Sequence, residues 1–186
     1  MGMESARLAF REYQRDDFPL FCYVFSNERV MRYALMDQCQ SESDIKPYFE
    51  QILMNNATKP SDRRAYEYAV YSKEQGEYLG FADILIENKN EDGGIAHIGF
   101  FLLPDYWDQG YGTEVSQTMI SFSFNTLGVH RVYACCNCEN ASSERVMQKS
   151  GMSKEGQFRK TRYKNGQWYD ELRYSILIDE WKPSDS

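Results

Sequence analysis

The stretch Trp107-Asp108-Gln109-Gly110-Tyr111-Gly112-Thr113-Glu114 decides how this chain is read. Before it lies an apolar run, Ile95 to Leu103, halted by Pro104. After it, Val115, Met119, Ile120, Phe122 and Phe124 spread as on one side of a helix, and Gly128 is placed to end that helix. The segment therefore closes a strand and opens a helix from about Thr113 to Leu127. A helix N-terminus carries unpaired backbone N–H groups and partial positive charge. Two glycines let the main chain curl so that those groups converge, with no Cβ standing where a phosphate would lie. An anion suits that geometry, although a tight turn alone also calls for glycine.

Working outward, Leu8-Ala-Phe-Arg-Glu-Tyr alternates as a first strand, and Asp16 to Ala34 carries a helical stripe. A second helix starts near Ser41 or Ser43, with Ile45, Tyr48, Ile52 and Leu53 as its inner face, and ends around Asn55-Asn56. Three strands follow, from Tyr66, Leu79 and Ile95, joined by polar turns as in an antiparallel meander. Beyond the Thr113 helix come a strand from Arg131, a helix from about Ala141 to Ser150 and two final strands. The expected fold class is α+β, with residues 1–186 forming a single domain.

Of 186 residues, 42% are hydrophobic and 26% charged, the balance of an ordinary globular chain. The net charge of -7 argues against a nucleic-acid partner, because it repels a phosphate backbone. No apolar run is long enough to cross a bilayer, and Met-Gly-Met-Glu-Ser lacks signal-peptide character, so the expected compartment is the cytoplasm, with no membrane partner. Cys135, Cys136 and Cys138 superficially suggest a metal cluster. Strand alternation instead puts Cys136 and Cys138 with Val132 and Ala134 while Cys135 points the other way, so no metal is expected.

Three separated motifs, in order, resemble the GNAT N-acetyltransferase superfamily. Gly110 and Gly112 match the glycines of its pyrophosphate loop, usually Gln/Arg-x-x-Gly-x-Gly/Ala, and Trp107 stands where Gln or Arg is common. Pro104 to Glu114 is similar to one branch, the ribosomal-protein N-terminal (alanine or serine) acetyltransferases. Asn140-Ala-Ser-Ser143 through Lys149-Ser-Gly151-Met resembles that branch's Asn-x-x-Ser…Lys-x-Gly-Phe motif, and Asn165 to Leu172 its ending.

The resemblance implies a mixed, mostly antiparallel twisted sheet flanked by helices, with central strands that splay apart. It implies acetyl-CoA as co-substrate, bound by Gln109, Gly110, Tyr111, Gly112 and Thr113 at its pyrophosphate. The backbone of Phe100 to Leu103 would pair with the pantetheine arm, and an N–H of Leu102 or Leu103 would meet the thioester oxygen. Asn140 and Ser143 would contact pantetheine and sulfur, although Asn140 also reads as a plain helix cap.

The partner the resemblance implies is an amine acceptor, a protein or peptide N-terminus, with a polyamine or amine antibiotic as the alternative; the reading allows a homodimer. A reactive amine must first lose its proton. His97 occupies the place where the branch often carries Glu. Asp83 and Glu67 are further carboxylate candidates, or ion-pair partners of Arg63 or Arg64, and Ser143 is the residue nearest the leaving thiolate. His97 in place of Glu also admits a CoA-binding module without catalysis.

Overall fold

The structure, a computed structural model, describes residues 2–34, 36–91 and 93–182. Its strands are β1 (Met3–Glu4), β2 (Leu8–Glu12), β3 (Ala65–Ser72), β4 (Tyr78–Asn90), β5 (Gly93–Leu102), β6 (Arg131–Asn137), β7 (Ser153–Lys164) and β8 (Gln167–Leu177). Its α-helices are α1 (Phe18–Ser26), α2 (Glu28–Met31), α3 (Glu42–Ala57), α4 (Tyr111–Asn125) and α5 (Ala141–Lys149). The strands form one sheet in the order β1-β2-β3-β4-β5-β6-β8-β7. Every pairing is antiparallel except β5 with β6.

The expected single helix from Asp16 to Ala34 is broken. Asn27 is extended, and its side-chain oxygen accepts from the N–H groups of Arg29 and Val30, so it caps a new helix instead of continuing the old one. The second helix begins after Ser41, where Ser41 and Asp44 form a reciprocal capping box. Its buried residues are Ile45, Phe49 and Ile52, so Phe49 holds the central place expected of Tyr48 and Leu53. The helix after the glycine loop starts at Tyr111, two residues before the Thr113 expected from the apolar spacing.

Alternation along the strands gives the sheet two different faces. Ile98, Leu102, Ala134, Cys136 and Leu172 pack with Val115 and Met119 of α4. Ala69, Phe81 and Phe101 pack on the other side with Phe21 and Phe25 of α1 and Phe49 and Ile52 of α3. Each helical layer thus covers one apolar face, and the sheet is the partition between them.

Candidate active site

The parallel pairing at the centre of the sheet is short. Ile95, Ala96 and His97 pair with Arg131, Val132 and Tyr133, and the pairing ends there. β5 remains paired with β4 as far as Gly80 and Leu102, while β6 remains paired with β8 as far as Asn137 and Glu171. Each central strand keeps its outer neighbour and leaves its inner one, so a gap opens through the sheet.

Leu103 N–H donates to Leu79 O at 2.8 Å, which identifies Gly80 and Leu102 as a non-hydrogen-bonded pair. By alternation, the main-chain groups of Phe100 and Leu102 point away from β4, toward the gap. Leu102 O accepts the indole N–H of Trp107 at 2.7 Å. Trp107 thereby ties the strand end to the loop, an anchoring role that a Gln or Arg side chain would not reproduce in the same way. Of the two expected oxyanion donors, Leu103 N–H is already engaged in the sheet, leaving Leu102 N–H on the open side.

At the mouth of the gap, Gly110 is the residue before α4 and has φ +81°, a conformation that favours glycine. No side chain caps the first turn, so its N–H groups are available to an anion. The turn's own acid, Glu114, is turned aside. It accepts from Ser5 Oγ, Arg7 N–H and Arg7 Nε at 2.7, 2.8 and 2.7 Å, and these bonds hold its carboxyl below its ordinary pKa against the opposing effect of burial. Arg7 also donates to Gln109 O at 3.1 Å and lies over the Tyr111 ring, 4.2 Å from its centre. The β1–β2 turn thus buttresses the glycine loop.

Gly112 also has a packing role. A Cβ there would lie 3.3 Å from Val146 Cγ2 and 3.5 Å from the Phe100 ring. The missing side chain lets α4 sit close to α5 and β5.

Asn140 caps α5, its Oδ1 accepting from Ser143 N–H at 3.1 Å. The Ser143 hydroxyl lies beside the Cys136 thiol, which is on the α4 side. His97, Asp83 and Glu67 alternate onto the opposite side, with Phe101, Phe81 and Ala69. The sequence-derived candidates are therefore divided by the sheet, with Ser143 and Asn140 on one face, the acid–base groups on the other, and the gap between.

His97 pairs in register with Tyr133, where β5 and β6 are still joined, and its ring packs 4.9 Å from the Tyr133 ring. Burial lowers its pKa. Asp83 is opposite Gly99, two residues nearer the open end, or ~7 Å at the rise of a strand. An added Cβ on Gly99 would lie 2.7 Å from Asp83 Oδ1, so the carboxylate leans over the glycine toward the gap. Burial pushes the Asp83 carboxyl up to about 7. Of the two expected arginine partners, Arg63 is engaged elsewhere: it pairs with Glu12 and also donates to Asn56 and Ala65. An open cavity of about 490 Å³ at the C-terminal ends of α4 and α5 includes Gln117, Lys149 and Trp181 and none of the residues at the gap.

Residues 7–153 match the family model for an acetyltransferase (GNAT) domain. The chain is 30% identical over 181 residues to the uncharacterised N-acetyltransferase YnaD of Bacillus subtilis (strain 168), covering 97% of this chain and 99% of YnaD. Its fold superposes on RimL, a ribosomal L7/L12 alpha-N-protein acetyltransferase in complex with coenzyme A, with TM-score 0.81 and 20% identity over 97% of this chain and 99% of that one. It also superposes on the spermidine N-acetyltransferase of Vibrio cholerae in complex with CoA and spermine, with TM-score 0.79 and 19% identity over 95% and 98% of the two chains. A sheet that splits beside an uncapped glycine loop and helix, together with the family match over most of its length, makes this chain a member of the GNAT acetyltransferase family, a transferase that takes its acetyl group from acetyl-CoA and delivers it to an amine.

Proposed function

We propose that the acceptor is the N-terminal amine of a protein or peptide, and that it attacks acetyl-CoA directly in a ternary complex. The observation carrying the reading is the gap between β5 and β6, with the glycine loop and α5 on one face and Asp83 and His97 on the other. Two substrates entering from opposite faces meet without a covalent enzyme intermediate.

In this arrangement the N–H groups of Tyr111, Gly112 and Thr113 hold the pyrophosphate. Phe100 and Leu102 present main-chain groups to the pantetheine, and Leu102 N–H stabilises the developing oxyanion. The cap occupies Asn140 Oδ1, so Asn140 makes its co-substrate contact through Nδ2, while Ser143 donates toward the leaving thiolate. Asp83 is better placed than His97 to accept the ammonium proton, because it reaches the open part of the gap. The likeness of Pro104 to Glu114 to ribosomal-protein acetyltransferases, and the RimL superposition, favour a polypeptide N-terminus.

One specific observation favours a second reading. The Asp83 carboxylate leans over Gly99 toward the gap on the acceptor face, which suits a cationic polyamine. The test is thiol release from acetyl-CoA with peptides beginning in Ser, Ala or Met, set against spermidine, spermine and an aminoglycoside. Turnover with N-terminal peptides that is lost when their α-amine is blocked supports the proposal. Turnover confined to the polyamines overturns it. The protein works as a single domain in the cytoplasm on this reading, and a homodimer is compatible with it.

A further inference from the structure

The site described above makes little use of Glu67, a buried carboxyl that the acid–base chemistry leaves unassigned. It is 4% exposed and stands directly opposite Asp83 in the β3–β4 ladder. Its Oε1 accepts from Asn55 Nδ2 at 2.9 Å, and its Oε2 is buried without a partner. A buried carboxylate oxygen without a donor is costly unless it is protonated or meets a cation from outside. Arg63, the nearest candidate cation, is committed to Glu12.

The remaining groups around the pair do not neutralise it. From α3 comes the phenol of Tyr48, which stays protonated, and Asn55. α1 presents Phe21 and Phe25 against Phe81 of β4. From β5 the neighbour is Gly99, flanked along the strand by His97. Two carboxyls are therefore placed side by side in the partition. The outer one, Asp83, leans through the notch left by Gly99, and the inner one is enclosed.

We infer that Glu67 and Asp83 act as a coupled carboxyl pair that takes the proton from the incoming ammonium, with Asp83 as the group that touches the amine and Glu67 as a positioning residue behind it. This rests on the proposed placement of the acceptor on that face. The ammonium R–NH3+ gives one proton to Asp83, and the neutral amine attacks the thioester carbon. The C–S bond breaks as the C–N bond becomes an amide. A second proton leaves the nitrogen and ends on the sulfur of CoA, and the proton on Asp83 passes to solvent, so one proton is released per turnover. When one carboxyl of the pair is ionised, its charge disfavours ionisation of the other, so the pair holds a shared proton more readily than a single carboxyl would. Burial pushes the Glu67 carboxyl up to about 7, with the neighbouring Asp83 charge adding to the shift.

The experiment has two arms. In the first, carboxyl-13C-labelled protein with CoA bound is titrated by NMR, with no acceptor present. Two carboxyls should titrate near neutrality. Glu67→Gln should leave one of them, moved to lower pH, and Asp83→Asn should remove the other. If every carboxyl titrates below pH 5, the pair is overturned whatever the acceptor is.

In the second arm, the pH profile of kcat/KM is recorded with whichever amine of the panel reacts. Glu67→Gln should move the acidic limb to lower pH, and Asp83→Asn should lower kcat at least 100-fold while the CoA dissociation constant stays within about twofold. Gly99→Ala should mimic Asp83→Asn in direction, because its Cβ displaces the carboxylate. A profile unmoved by Glu67→Gln, or full activity in Asp83→Asn, sinks the inference. If the reacting amine is a polyamine instead of a peptide, the N-terminal reading fails while the pair is still tested.

Discussion

At position 112 the absence of a side chain serves packing. The distances to Val146 and Phe100 place the would-be Cβ between two elements that both border the co-substrate gap. At 3.3 Å the contact with Val146 is tight enough that this side chain or α5 must shift slightly to admit even alanine. Gly112→Ala is therefore expected to weaken CoA binding by ~10-fold, about 1.4 kcal/mol, through displacement of Val146 and the α5 segment that carries Ser143. The second substitution Val146→Ala should restore most of that affinity, because it returns the space. A binding titration of the four proteins of this cycle decides the matter. If Val146→Ala gives no recovery, the glycine is required for the phosphate itself. Sequence alone could not separate these meanings, since both call for the same residue at the same place in the motif.

Among the elements, those set by local chemistry were legible and those set by pairing partners were not. The three-strand meander, the glycine-loop helix and the Asn140 cap follow from alternation, αL glycine and side-chain capping, each of which acts within a few residues. The break at Asn27 was hidden because the apolar stripe runs on through it, and only the cap of α2 shows why the helix stops. The splay and the division of candidates between two faces depend on which strand each strand pairs with, which no short window carries.

The same holds for the β7–β8 hairpin. Its Lys164 Nζ donates to Met31 O at 2.5 Å and Ala34 O at 3.1 Å, across more than half the sequence. The ammonium closes the end of α2 and fixes the hairpin over the acceptor face. Lys164→Met should lower stability by about 1.5–3 kcal/mol in a denaturant titration, the range for hydrogen bonds involving a charged group. It should also raise the acceptor KM several-fold with the CoA dissociation constant unchanged. An unchanged KM would limit Lys164 to bracing.

For the whole molecule, titration links the site to stability, and the sign differs between surface and interior. Glu114 is held below its ordinary pKa mainly by bonds from Ser5 and Arg7, and Glu155 chiefly by Arg131, so the stability they contribute is lost as the pH falls. Glu67 does the opposite. Its folded value of about 7 lies above the 4.5 of an unhindered Glu, so the folded protein binds this proton more tightly than the unfolded chain does. The stabilisation is fully present below pH ~4.5 and is lost as the pH rises through ~7. The shift of about 2.5 units corresponds to roughly 3 kcal/mol as an upper bound, and Asp83 adds to the same trend. Glu67→Gln removes the titration while keeping the bond to Asn55. The stability difference between Glu67→Gln and the native protein should therefore grow in the variant's favour, by roughly 2–3 kcal/mol, between pH 4.5 and 8. Unfolding free energies measured in urea across that range provide the check. A difference that stays flat with pH would show that Glu67 is ionised at no penalty, and would leave the protein no reason to keep an unpaired carboxylate oxygen in its sheet.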